Sequence, residues 1–176
     1  LVIAAKDRLG LFSDTAGLFA SHSVQVRSAV LHTVEGVAVN TWRVDKQLAT
    51  DLPDSAYLIK QLSRLQEGET GILAPVQRRE ARAHGSGAVS NPYVEMVPDA
   101  SDTAAVIEVR TGDRAGLLYA LGRSLSETRL SIRSAHVSTL AGQAIDTFYV
   151  TEVDGSAPTK QRAREAVTAL TMAAGI

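Results

Sequence analysis

The 176-residue chain contains no cysteine, which excludes disulfides, thiolate nucleophiles and the common cysteine-bearing zinc sites. It has no excess of either charge. Eighteen Lys and Arg against 19 Asp and Glu leave no net field to recruit nucleic acid or an anionic membrane. No apolar run approaches the roughly 18 residues of a membrane span. The opening LVIAAKDRLG lacks the basic region, apolar core and cleavage site of a secretion signal. His22, His32, His84 and His136 have no H-E-x-x-H spacing, so no metal site is expected. These absences give the expectation of a cytoplasmic chain with no membrane and no nucleic-acid partner. The chain also begins without Met, inside an apolar strand pattern, which suggests a piece of a longer protein.

What is present is an ordinary folding composition, 45% apolar and 21% charged, enough for one large domain or two small ones. The one basic stretch, QRREARAH over residues 77–84, adjoins Gly85-Ser86-Gly87 and reads as a solvated helix end running into a linker. The dominant signal is a repeat. At an offset of 106 residues, Asp7–Val44 aligns with Asp113–Val150 without a gap. DRLGL meets DRAGL, VRSA meets IRSA, and GVAVNTWRV meets GQAIDTFYV, with about a third of the positions identical. Two copies of one unit are present.

Each copy starts with a β-branched apolar run, Val2–Ala5 or Ala104–Val109, that ends at the Asp-Arg turn. A Gly then opens a helix in which Leu117, Leu118, Leu121 and Leu125 recur at helical spacing, less regularly in copy one. Two strands follow, over 24–34 and 37–44 in copy one and 130–140 and 144–150 in copy two. Their hairpins turn at Glu35-Gly36 and Ala141-Gly142. A second helix starts near Leu52-Pro53-Asp54-Ser55 or Pro158-Thr159. The order β-α-β-β-α lacks one strand of a ferredoxin-like unit. No strand follows the last helix, so Tyr93–Val97 is expected to pair with the strand of 104–110 and fill that edge; copy one's equivalent would precede Leu1. The expected fold is α+β: two ferredoxin-like units, 1–70 and 92–176, with helix end and linker over 71–91.

The Asp-Arg-x-Gly turn admits two readings. A helix N-terminus presents unpaired N–H donors and the positive end of the helix dipole, so the backbone at Gly10-Leu11 or Gly116-Leu117 can receive a carboxylate. Gly permits close approach. Asp7 or Asp113 can then meet an ammonium, and copy two, with the more regular helix start, is the stronger choice. Alternatively the Asp caps the turn and Gly fits its geometry, with no ligand. Asn40 and Asp146 share a strand face with Trp42 and Phe148 and need polar partners.

The turn D-R-x-G-L with the strands IRSAHV and IDTFYV resembles the ACT domain, a small amino-acid-binding regulatory module. The tandem pair resembles the C-terminal end of the bifunctional PII uridylyltransferase/uridylyl-removing enzymes. One departure is that Leu9 and Ala115 stand where that family usually has Pro. The resemblance implies two ACT domains that bind glutamine and report nitrogen status. The enzyme around them would transfer a nucleotidyl group, uridylyl or adenylyl, to and from a PII signalling protein, with Mg as its metal. It implies ligand contacts from Asp7, Arg8, Gly10 and Leu11, and from Asp113, Arg114, Gly116 and Leu117. Ser28 and Ser134, at matching places on the second strand, would lie near a ligand held by the neighbouring copy. Each could equally be a small residue permitting packing. His136, whose twin is Val30, is either a ligand contact or a half-buried edge residue. Neither the nucleotidyltransferase signature nor the His-Asp hydrolase pair is present, so this chain is expected to be non-catalytic and without a cofactor of its own. Three alternatives remain: a ligand-free ACT pairing module, a regulatory domain of another amino-acid-metabolism enzyme, and an RNA-recognition motif. The last lacks aromatics on its first strand.

Overall fold

The computed structural model describes residues 1–45, 53–82 and 91–176. Its elements run β1 (Val2–Lys6), α1 (Leu11–Ser21), β2 (Gln25–Val34), β3 (Val37–Asp45) and α2 (Ser55–Gln66). A 3-10 turn (Thr70–Leu73) and α3 (Ala74–Arg82) follow, then β4 (Tyr93–Met96), β5 (Ala105–Gly112), α4 (Leu117–Glu127), β6 (Leu130–Leu140), β7 (Gln143–Glu152) and α5 (Lys160–Ala174). The fold is α+β, with one antiparallel seven-stranded sheet in the order β1-β3-β2-β6-β7-β5-β4, compatible with two ferredoxin-like repeats.

The two copies join inside one chain. Strands β2 and β6 pair antiparallel with Ala29 opposite Ala135. These are repeat-equivalent positions, so a pseudo-two-fold axis passes between them. From Ala29 and Ala135 onward the paired strands alternate between the two faces of the sheet. Ala29, Leu31, Asn40 and Trp42 of copy one, and Ala135, Val137, Asp146 and Phe148 of copy two, are all buried, which puts them on the helix-covered face. Phe12 of α1 stacks on Trp42 at 5.2 Å and meets Phe148 edge-on at 6.2 Å. One aromatic cluster thus bridges both copies, each pair adding ~0.5–1.5 kcal/mol beyond area burial. Helices α1 and α4 approach closely because Gly17 and Gly122 face each other's helices. A Cβ on Gly122 would stand 2.7 Å from the Phe12 ring, and one on Gly17 would stand 2.8 Å from that of Tyr119.

The edge strand expected from Tyr93–Val97 is β4, paired with β5 through Tyr93↔Arg110 to Met96↔Ile107. On the opposite rim β1 has no outer neighbour among the described residues. The second helices start at side-chain caps: Asp54 accepts from the Tyr57 N–H, and Thr159 accepts from the Arg162 N–H. The stretch after Gly68, expected as helix end and linker, holds the 3-10 turn and α3, with Leu73 and Val76 in the core. Nothing in the polar run QRREAR betrays that burial, because the residues that anchor it, Leu73 and Val76, precede it. Leu52, Ala83-His84 and Gly85-Ser86-Gly87 lie outside the described residues.

Candidate functional site at the second Asp-Arg-x-Gly turn

Both turns have the same backbone. Gly10 and Gly116 are the residues before α1 and α4, at φ 84° and 83°, a left-handed conformation that favours glycine. The Asp7 and Asp113 N–H groups donate to the carbonyls of the hairpin glycines Gly36 and Gly142. Each turn is therefore tied to the β2–β3 or β6–β7 hairpin of its own copy.

The surroundings differ. At the second turn a cavity of about 290 Å³ opens between the copies. Asp113, Arg114, Gly116 and Leu117 line it from the turn, Val137, Thr139 and Asp146 from the sheet, and Val24, Gln25 and Val26 from the start of β2 in copy one. At the first turn the equivalent space is only about 20 Å³. Leu130, Ser131 and Ile132, the repeat equivalents of Val24, Gln25 and Val26, occupy the matching wall. Phe12, Leu130 and Ile132 are bulkier than the Leu118, Val24 and Val26 that replace them across the repeat, which accounts for part of the lost volume.

Helix α3 packs on the second turn and contributes Arg79 to the cavity lining. A Cβ on Gly116 would meet Val76 Cγ2 at 3.1 Å and Glu80 Cβ at 3.2 Å. The Gln77 side-chain amide donates to the Tyr119 hydroxyl, and Arg79 donates to the Ala20 carbonyl at 2.9 Å while lining the cavity. Arg114 turns away from the helix start: its Nη2 donates to the Ala173 carbonyl at 2.6 Å and lies 3.9 Å from Glu80. Its buried Nη1 has no hydrogen-bond partner among the described residues.

Two carboxylates face this space. Asp146 is 1% exposed, and among the described residues its carboxylate accepts one bond, a long 3.4 Å contact from the Ser138 N–H to Oδ1. Burial pushes its pKa up to about 7, opposed by the Ser138 bond and reinforced by the negative charge of Asp113. Burial likewise raises Asp113, against the lowering effects of a backbone bond at Arg114 and of the Arg27 charge.

The structure thus brings together Asp113, Arg114, Gly116 and Leu117 in one cavity, and Asp7, Arg8, Gly10 and Leu11 in the smaller one. It does not bring Ser28, Ser134 or His136 to either. Ser28 pairs with the exposed Arg43, Ser134 with Tyr149 and His136 with Thr147, which places all three on the sheet face away from the helices. Ser134 lines a separate depression there with Arg133 and Tyr149. His136 is exposed, its ring edge-on to Tyr149 at 6.2 Å, on the interior strand β6 rather than at an edge. The neighbouring copy does contribute to the cavity, but through residues 24–26, before Ser28. Asp146 was visible as a polar residue on a core face; that it reaches the turn follows only from the sheet register.

No protein-family model matches the chain. Among curated proteins, the bifunctional uridylyltransferase/uridylyl-removing enzyme of Streptomyces coelicolor is 41% identical over 165 residues, covering 89% of this chain and 20% of that protein. That of Caulobacter vibrioides is 36% identical over 181 residues, covering 99% and 19%. The chain is homologous to a segment of the bifunctional uridylyltransferase/uridylyl-removing enzymes. It spans about a fifth of the length of these relatives, and the match to the uridylyltransferases runs through both copies of the repeat. Among solved structures, an unknown protein from Galdieria sulphuraria overlaps 98% of this chain and 88% of its own at 16% identity and a TM-score of 0.32.

Proposed function

We propose that the chain is a tandem ACT-type regulatory module that binds glutamine at the second Asp-Arg-x-Gly turn. It would report nitrogen status to a nucleotidyltransferase and nucleotidyl-removing activity directed at a PII signalling protein and served by Mg. The observation that carries this reading is the cavity between the copies. It combines a helix N-terminus, which attracts a carboxylate, with carboxylates that attract an ammonium, and so meets both ends of a free amino acid. Its size stands at the low end of ligand pockets, roughly 300 Å³ upward, as suits a small metabolite. Homology to the uridylyltransferase/uridylyl-removing enzymes over nearly the whole chain supplies the regulated activity.

Calorimetric titration tests it. A pocket that pairs a carboxamide with a buried donor and acceptor leaves one of them mismatched when a carboxylate enters, at ~1–3 kcal/mol. Glutamine is therefore expected to bind about tenfold or more tighter than glutamate. No heat and no shift in melting temperature at millimolar glutamine would overturn the reading. That outcome favours a ligand-free pairing module, in which the two copies meet through β2 and β6.

A further inference from the structure

The two turns repeat in sequence, but two substitutions across the repeat and one altered hydrogen bond separate their chemistry. Position 14 in copy one is Asp, and its equivalent in copy two is Ala120. Asp14 sits in the first turn of α1, whereas α4 has no acid there. In copy one, then, the chain's own carboxylate lies at the helix start, bound to Arg8 at 2.6 Å. In copy two Arg114 points elsewhere and the helix start faces the cavity without a carboxylate from its own first turn. Position 40 is Asn, and its equivalent is Asp146. Thr33 and Thr139 are identical, yet Thr33 Oγ1 donates to Asp7 at 2.8 Å while Thr139 lines the larger cavity and Asp113 has no such bond among the described residues.

Copy one therefore satisfies its charges internally: Arg8 with Asp14, Asp7 with Thr33. Copy two keeps two carboxylates, one 99% buried, beside a space large enough for a ligand. A buried carboxylate is costly unless it is paired. Asp146 has one long backbone bond and the like charge of Asp113 near it, an arrangement that the empty cavity relieves by keeping a proton on the carboxyl and that a bound cation relieves in its place.

Resting on the amino-acid reading of this cavity, we propose that it takes one ligand per chain, that the ligand must carry a cationic amine, and that Asp146 and Asp113 are its two counter-charges. The copy-one turn, with Asn40 in the place of Asp146, takes none. The ligand's carboxylate lies on the α4 start, where Ala120 replaces Asp14. Duplication followed by divergence has left one turn as a structural cap and the other as a receptor. Recognition of the amine rests in part on Asp146, a residue that the turn motif does not contain.

The test uses the whole 176-residue chain, titrated by calorimetry with glutamine and with 4-carbamoylbutanoate, the same skeleton without the amine. The wild type is expected to bind one glutamine per chain and to bind the deaminated probe at least a hundredfold more weakly. Asp146→Asn and, separately, Asp113→Asn are expected to lose at least tenfold in glutamine affinity, with the fold verified by thermal melting. Asp14→Ala is expected to leave affinity and stoichiometry unchanged. Two glutamines per chain, equal binding of the deaminated probe, or unaltered affinity in both carboxamide variants would each overturn the proposal and leave glutamine sensing standing. Binding of other amino acids but not glutamine, lost in Asp146→Asn, would uphold the proposal and remove the glutamine reading. Failure of every amine to bind would remove both.

Discussion

Asp146→Asn should stabilise the unliganded protein at neutral and alkaline pH, against the usual cost of a core substitution. The carboxyl is 1% exposed and its pKa rises from 3.8 to about 7, so folding holds its proton where the unfolded chain releases it. The sign follows from proton linkage. Between pH 4 and 7 the folded state binds more protons than the unfolded one, and stability falls as pH rises; above 7 both are ionised and the loss levels off. A shift of roughly three units corresponds to about 4 kcal/mol. Asn keeps the shape and the acceptor for the Ser138 N–H but adds an amide donor whose missing partner costs ~1–3 kcal/mol. The expected net gain at pH 8 is therefore ~1–3 kcal/mol, reversing to a loss of ~1–3 kcal/mol near pH 4, where the carboxyl is neutral in the folded state and only the amide cost remains. Urea melts of both proteins at pH 4.5, 6 and 8 measure it. A variant less stable than wild type at pH 8, or a wild type whose pH dependence matches that of the variant, would refute the argument that Asp146 is buried without adequate compensation.

Three further outcomes follow from geometry. Gly116→Ala should lose more stability than Gly10→Ala: both residues need positive φ, costing ~1–3 kcal/mol, but only at Gly116 would the new Cβ press on α3, at 3.1 Å from Val76; paired thermal melts would show the difference, and equal losses would contradict it. Gly122→Ala should cost ~1–3 kcal/mol by overpacking, because its Cβ would stand 2.7 Å from Phe12. A neutral result in a denaturant melt would mean that α1 and α4 can separate freely. Val76→Ala, which removes a fully buried side chain, should cost on the order of 1–3 kcal/mol and weaken glutamine binding through displacement of α3; unchanged affinity by calorimetry would detach α3 from the site.

Much of the fold was legible because the repeat doubled every signal. The strand at 93–97 was deducible from a missing partner, and the sheet places it beside β5 as expected. Helix α3 was not, since its polar residues 77–82 follow the two apolar residues that anchor it. The turn residues were legible because glycine at positive φ before a helix leaves a sequence mark. The wall of the cavity was not, because it depends on the β2–β6 pairing that brings Val24–Val26 to Asp113. Alternation placed Asp146 on the buried face with Phe148. Ser134 and His136, each one residue from the pairing point at Ala135, look equally close to the site in sequence. The β-bulge between Ile132 and Ser134 and the strand period put both on the opposite face.

The most direct measurement of amino-acid binding at the second turn is a map of amide chemical-shift changes as glutamine is added to isotope-labelled protein. The largest changes are predicted at Gly116 and Leu117, with smaller ones at Val137–Thr139 and Val24–Val26 and none at Gly10 and Leu11. Changes centred on Gly10, or on the outer face at Ser134 and His136, would contradict this placement, as would saturating glutamine that moves no amide at all.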